Sequence, residues 1–402
     1  MKGYLRVIAF IQAAIFMLAP SGGSVAQEPD REVRASIGSS ENQVNETLLR
    51  GIHLLYNREF EKAEGLFRAV ERIAPDRPGA YFYLAMVSWS RLAAGFWSSD
   101  EVAQFKKRID RTIAVAKTRF DKGKGDSYTY FYLGGALGFD GRFELMEGNW
   151  ITSFFLASDA IDALKTCHDL NPDNKDVLLG LGTFDYYTAR LSGFLKFLTY
   201  FLLHKGNKAE GLRKLTIAAD EAVYSATEAK SMLLHIYLFL ENDLEKASAI
   251  SEALSRTYAL NPRFKVLHGV SLIRLGKESQ YRTIVNELQK EGDNCENAFQ
   301  AAAWRRRAVY LESIFCLFKG DYAGARAKLW DILSDQDPKH DPAMIAWPRI
   351  KLGMSYDLEG ERDKAVAIYE DVLHMKNGAG AQFLAEKLIN KPLRKGDPFI
   401  GY

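Results

Sequence analysis

Histidines, cysteines and charged clusters are the residues of this chain that could do chemistry, and their spacing speaks against it. The seven histidines (53, 168, 204, 235, 268, 340 and 374) are scattered without metal-ligand spacing. There is no G-x-S-x-G elbow, phosphate loop, H-E-x-x-H helix or dinucleotide fingerprint. His340 beside Asp341 in "DPKHDP" reads as a solvated turn, because one such pair is not a complete metal site. "WRRRAVY" (304–310) holds three successive arginines, which a helix spreads about 100° apart, so they fan out and a solvated or salt-bridged face is expected. Asp140 and Arg142 lie between Phe139 and Phe143, where a helix-breaking Gly141 would either expose the pair or bend the chain between packed hairpins. Bending is the preferred reading. Cys167, Cys295 and Cys316 have no short pairing. Cys167 and Cys316 sit among apolar periodic residues and are expected as buried free thiols. No enzyme and no cofactor are expected.

If chemistry is not the function, the elements must be read for binding. The 402 residues are 47% hydrophobic and 26% charged, a globular composition. The formal charge is +2. Loss of Lys2 and Arg6 with a leader would leave the chain neutral, which argues against nucleic acid and against a general pull to anionic lipid. Residues 1–26 have the form of a signal peptide: the basic pair, the apolar "VIAFIQAAIFMLA", then "SVA" ahead of Gln27. That apolar stretch is shorter than the roughly 20 residues of a spanning helix, and no cysteine follows it, so the expectation is an exported, periplasmic or envelope-associated protein that is not a lipoprotein. Residues 27–44 are expected to be a flexible N-terminal segment.

Self-similarity decides the architecture. In "WPRIKLGMSYDLEGERDKAVAIYEDVL", Leu352, Gly353 and Tyr356 are followed by Ala365, Tyr369 and Val372. This spacing resembles the tetratricopeptide repeat, in which small residues let two antiparallel helices approach and aromatics fill the wider gaps. Gly51, Leu54, Ala63, Phe67, Val70 and Pro75 fit the same pattern. Further units begin at Tyr81, Leu84 and Ala85, at Gly148, Ala160, Leu164 and Pro172, and at Leu178, Leu181 and Gly182. Gly211, Leu215 and Ala218 mark a second helix separated from its partner by an insertion, and two less regular hairpins lie within 232–262 and 309–333. No strand pattern occurs. The expected fold is all-α: a tetratricopeptide-like helical-hairpin solenoid over 45–376, with helical insertions near 91–126 and 188–207, and a C-terminal helix and tail over 377–402.

In that register the inner helices turn Phe82, Met86 and Trp89, Tyr186 and Tyr187, and Trp347 toward a concave surface. Aromatic and methionine side chains there suit a partner's peptide or amphipathic helix, unless the insertions or a terminal helix already fill the groove. Leu48 and Ile52 stand where a carboxylate clamp needs lysine and asparagine. The second insertion, "SGFLKFLTYFLLHKG" (192–206), places Phe194, Phe197, Leu198, Phe201 and Leu202 on one apolar face. It is too short to span a bilayer and reads as core or groove lining, with peripheral membrane or lipid contact as the alternative. Behind it, Asn207 and Glu210 form a capping-box-like restart.

The run "LGLGTFDYYTARLSGFLKFLTYFLLHKGNKAEGLRKLTIAAD" resembles the tetratricopeptide repeat 39 family and its fungal relatives linked to mitochondrial outer-membrane inclusion bodies. Leu191, Leu195, Lys196, Gly206, Gly211 and Leu212 match, whereas Ser192, Asn207 and Lys208 depart from it. The resemblance implies a helical repeat scaffold and supplies no reaction. The expected function is therefore a protein-interaction scaffold holding a segment of a protein partner.

Overall fold

The computed structural model describes residues 41–93, 98–147, 149–190, 206–334, 341, 343–375, 378, 380–395 and 397. Residues 1–26, read as a signal peptide, the apolar stretch at 194–203 and His340 lie outside the described residues. Seventeen α-helices and no strand occur among those described. They are α1 (Glu41–Tyr56), α2 (Phe60–Ile73), α3 (Pro78–Ala93), α4 (Ser99–Asp121), α5 (Ser127–Met146), α6 (Trp150–Leu170), α7 (Val177–Ala189), α8 (Lys208–Glu221) and α9 (Ala226–His235). A π-helical turn (Ile236–Glu241) follows, then α10 (Leu244–Thr257), α11 (Pro262–Arg274), α12 (Glu278–Asn294), α13 (Ala298–Lys319), α14 (Tyr322–Ser334), α15 (Ala343–Glu359), α16 (Arg362–Leu373) and α17 (Ala381–Asn390). Where the sequence suggests one solenoid, contacts gather the chain into two compact units, one within 25–90 and 98–233 and the other within 91–97 and 234–402.

In the first unit α1 packs on α2, α5 on α6 and α7 on α8, with α4 and α6 also touching their successors. Small residues set these pairings. A Cβ on Gly51 would lie 2.4 Å from the Phe67 ring, and one on Gly211 would lie 2.5 Å from the backbone of Tyr186, so both seams close only without side chains. Gly141 does not break its helix: it is buried inside α5, where its missing Cβ admits Leu156 and the Ser153 carbonyl of α6. The segment expected as the first insertion holds the 23-residue helix α4, started by Ser98, which accepts from the Glu101 amide. Arg108 fastens it from inside, donating to the Leu84 carbonyl (2.8 Å) and to Ser88 (3.0 Å) and pairing with Glu64. The restart of α8 is capped as its sequence suggests: Asn207 accepts from the Glu210 amide at 3.1 Å. Glu210 itself turns to Arg213 and Lys214, so only half of a capping box forms.

In the second unit neighbouring helices pack in chain order from α10 to α17, and the odd-numbered α11, α13, α15 and α17 also touch one another in series. This is the pattern of hairpins stacked through their first helices. Gly353 and Tyr369 meet as Gly51 and Phe67 do, at 2.3 Å from a built Cβ. The irregular hairpin after α9 has a physical cause. The π turn frees carbonyl groups, and Arg274 donates to that of Leu238 and to the side chain of Asn242, whose left-handed backbone (φ 58°) ends the turn.

Candidate functional site

None of the side chains read as lining a concave groove is open. Phe82, Met86, Trp89, Tyr186, Tyr187 and Trp347 are all buried. The first three fall on the face of α3 covered by α4 and α5: Trp89 packs on Phe105 and Phe139 (both 5.4 Å between centroids) and Phe82 on Phe139 and Tyr132. A helix-spaced aromatic stripe is a core seam when further helices cover it, and here α4 covers Trp89 and α5 covers Phe82 and Trp89. Arg142 stacks over Trp89 at 4.5 Å, so the Asp140–Arg142 segment serves packing. Tyr186 and Tyr187 meet edge to face, and the Tyr187 hydroxyl donates to the Met232 sulfur at 3.6 Å. Trp347 belongs to the second unit and is buried there. Phe194, Phe197, Leu198 and Phe201 lie outside the described residues.

The arginine run fans out as expected, but its last member turns inward. Arg307 is buried and forms an ion pair at 2.9 Å with Asp341, which is 0% exposed, so Asp341 is an internal anchor and the solvated-turn reading is corrected. Burying a carboxylate is unfavourable without such a partner, and Asp341 also accepts from the Met344 amide at the start of α15. Cys167 is buried and Cys316 half-buried, and both are free thiols.

A polar site that sequence reasoning missed is assembled in the first unit. Tyr83 of α3 stacks on Phe67 (5.3 Å), and its ring meets that of Tyr132 from α5 at 6.1 Å. Tyr128, also on α5, and Tyr224, in the α8–α9 link, complete the group: centroids lie 5.7 Å apart for Tyr128–Tyr224, 6.4 Å for Tyr132–Tyr224 and 6.5 Å for Tyr128–Tyr132. Beside them Asp176, ahead of α7, is 1% exposed. Its Oδ1 accepts from the amides of Tyr224 and Ser225, both at 2.7 Å, and its Oδ2 is buried as well. At the rim, the Tyr56 hydroxyl of α1 donates to Glu228 of α9 at 2.8 Å.

One local contact and several distant ones hold Asp176. Asn174 accepts from the Asp176 amide in a tight turn and donates to Ser127 at 3.0 Å, and Ser127 donates to the Cys167 carbonyl. The Ser225 hydroxyl donates to the Asp176 carbonyl at 3.1 Å. Burial pushes the Asp176 carboxyl above the ordinary range, opposed by the amides and hydroxyl of Ser225 and the amides of Tyr224 and Val223. Burial first and then the charge of Asp176 push the Tyr128 phenol up to about 12. Tyr83 and Tyr132 are raised as well, again chiefly by burial. The phenols therefore stay neutral and can both accept and donate. Among the described residues there is no cluster of histidine, cysteine and carboxylate side chains able to hold a metal. No family model matches the chain, and no curated protein matches it.

Proposed function

We propose that the chain is an exported tetratricopeptide-like scaffold, related to the tetratricopeptide repeat 39 family, which holds a segment of a protein partner in the periplasm or at the cell envelope. One observation carries the reading. Tyr56, Tyr83, Tyr128 with Tyr132, Asp176 and Glu228 come respectively from α1, α3, α5, the start of α7 and α9, which are the first helices of successive hairpins. Convergence of first helices on one polar aromatic cluster, buried except at Tyr56, Tyr128 and Glu228 along its edge, supports a binding face at that edge. The Gly51–Phe67 and Gly353–Tyr369 contacts support the repeat assignment.

The lipid-contact alternative rests on residues 194–203, and no described helix is long and apolar enough to cross a membrane. The test is cross-linking in the native envelope with the wild-type chain and with Asp176→Asn combined with Tyr83→Phe. A protein partner retained by the wild type and lost from the variant, at an unchanged circular dichroism melt, is the expected result. Identical partner sets would overturn the reading.

A further inference from the structure

In the second unit, the hairpin of α10 and α11 is closed by a small polar cluster around one histidine. His268 of α11 is 8% exposed, and its Nδ1 lies 3.0 Å from the Oγ of Ser251 on α10. That oxygen lies in turn 3.3 Å from the Oγ of Ser271, and both serines are fully buried. Each hydroxyl has a single proton. Ser251 donates its proton to the Ser248 carbonyl (3.0 Å) and Ser271 donates its own to the His268 carbonyl (2.7 Å), so neither is left to donate to the imidazole. The network therefore assigns the ring proton of neutral His268 to Nδ1, which donates to Ser251, and leaves Nε2 to take a proton in acid.

The groups facing the ring decide how well a cation is tolerated there. α10 presents Glu252, α12 presents Glu287, Lys265 stands on α11 itself and Lys277 in the link to α12. Glu287 is already engaged by Lys265 at 2.7 Å, and Glu252 is exposed, 3.9 Å from Arg256. On the α13 side the contact at this level is apolar, Leu311 filling the space beside Gly269. We propose that the α10–α11 seam is an acid-sensitive joint: a proton on Nε2 of His268 puts a cation between packed helices and loosens this hairpin locally. Burial pushes the imidazole below its ordinary value of 6.5, opposed by Glu252 and Glu287 and assisted by Lys277 and Lys265. The opened hairpin therefore binds the proton more tightly than the closed one. The joint has its full stability above about pH 6.5 and loses it as pH falls below that value.

The experiment is native-state hydrogen exchange on the full chain at about pH 7.5 and about pH 5.5, corrected for the intrinsic pH dependence of exchange. Wild-type amides of α10 and α11 should lose about tenfold in protection over this interval beyond any loss in α16, which is not packed against them. His268→Gln keeps an N–H for Ser251 and removes the titration, so its α10 and α11 amides should respond to pH no more than those of α16. Ser251→Ala removes the acceptor of Nδ1–H and leaves Nε2 in place. Its protection should fall at both pH values, with the acid response retained. In the wild-type chain the ring signal of His268, followed by NMR, should titrate below its ordinary value. Titration of that ring at or above 6.5, an undiminished acid response in His268→Gln, or wild-type protection in Ser251→Ala would overturn the proposal. If His268→Gln does not fold, the wild-type ring titration and Ser251→Ala decide the matter.

Discussion

Lys351 of α15 is 1% exposed, and burial, reinforced by the charge of Arg274, brings its amine down from 10.5 to about 7. The unfolded chain therefore binds more protons than the folded one between about pH 7 and the ordinary lysine value, and this group makes the fold more stable as pH rises through that window. Lys351→Met removes the titration. The variant should be the more stable protein at about pH 7, and its advantage should shrink by about 1 kcal/mol per pH unit toward pH 9. Urea unfolding midpoints at the two pH values measure this, and a difference that does not change with pH would refute the assignment. Asp341 and Asp176 teach the complementary point. Both sit in polar segments that look like surface turns, next to His340 or within "NPDNKD", yet both are interior anchors. Nothing in either local sequence carries that information, because the groups that bury them lie 34 residues away at Arg307 and 48 residues away at Tyr224.

At the scale of single helices, the close-approach glycines are decisive. Gly51→Ala puts a methyl group where the Phe67 ring stands and should destabilise by about 1–3 kcal/mol. Adding Phe67→Leu should recover part of this, a coupling that a double-mutant cycle reads directly. Simple additivity would show that the ring can move aside freely. These contacts were legible in the sequence because glycine and aromatic recur at fixed spacing within one hairpin. The restart at Asn207 was legible for the same reason, since a cap and its amide are three residues apart. The π turn after α9 was legible only as an irregular hairpin: its stabiliser, Arg274, comes from α11. The stripe Phe82, Met86 and Trp89 was legible as a stripe, with its environment left open between an exposed groove and one already filled. Periodicity says which residues share a face, and only the placement of α4 and α5 says what covers that face.

Within each unit most packing among the described helices joins neighbours in chain order, as in a stack whose stability is a sum of hairpins and the seams between them. The all-α architecture was legible in the sequence, since hairpin periodicity is a local property. The tyrosine and Asp176 site was not, since its members are contributed by five separated segments, and the Tyr56–Glu228 hydrogen bond spans 172 residues. A stack of this kind confines damage. Gly353→Ala forces a methyl group against Tyr369 in the second unit, so native-state hydrogen exchange should speed up in α15 and α16 and in the α13 and α17 amides packed against them. Amides of α1 to α8 should keep wild-type protection, because local openings in a quasi-one-dimensional stack involve the altered seam and its neighbours before the whole chain. Uniform acceleration across all helices would mean that the protein opens as a single cooperative block, and the stacked-hairpin account of its energetics would fail.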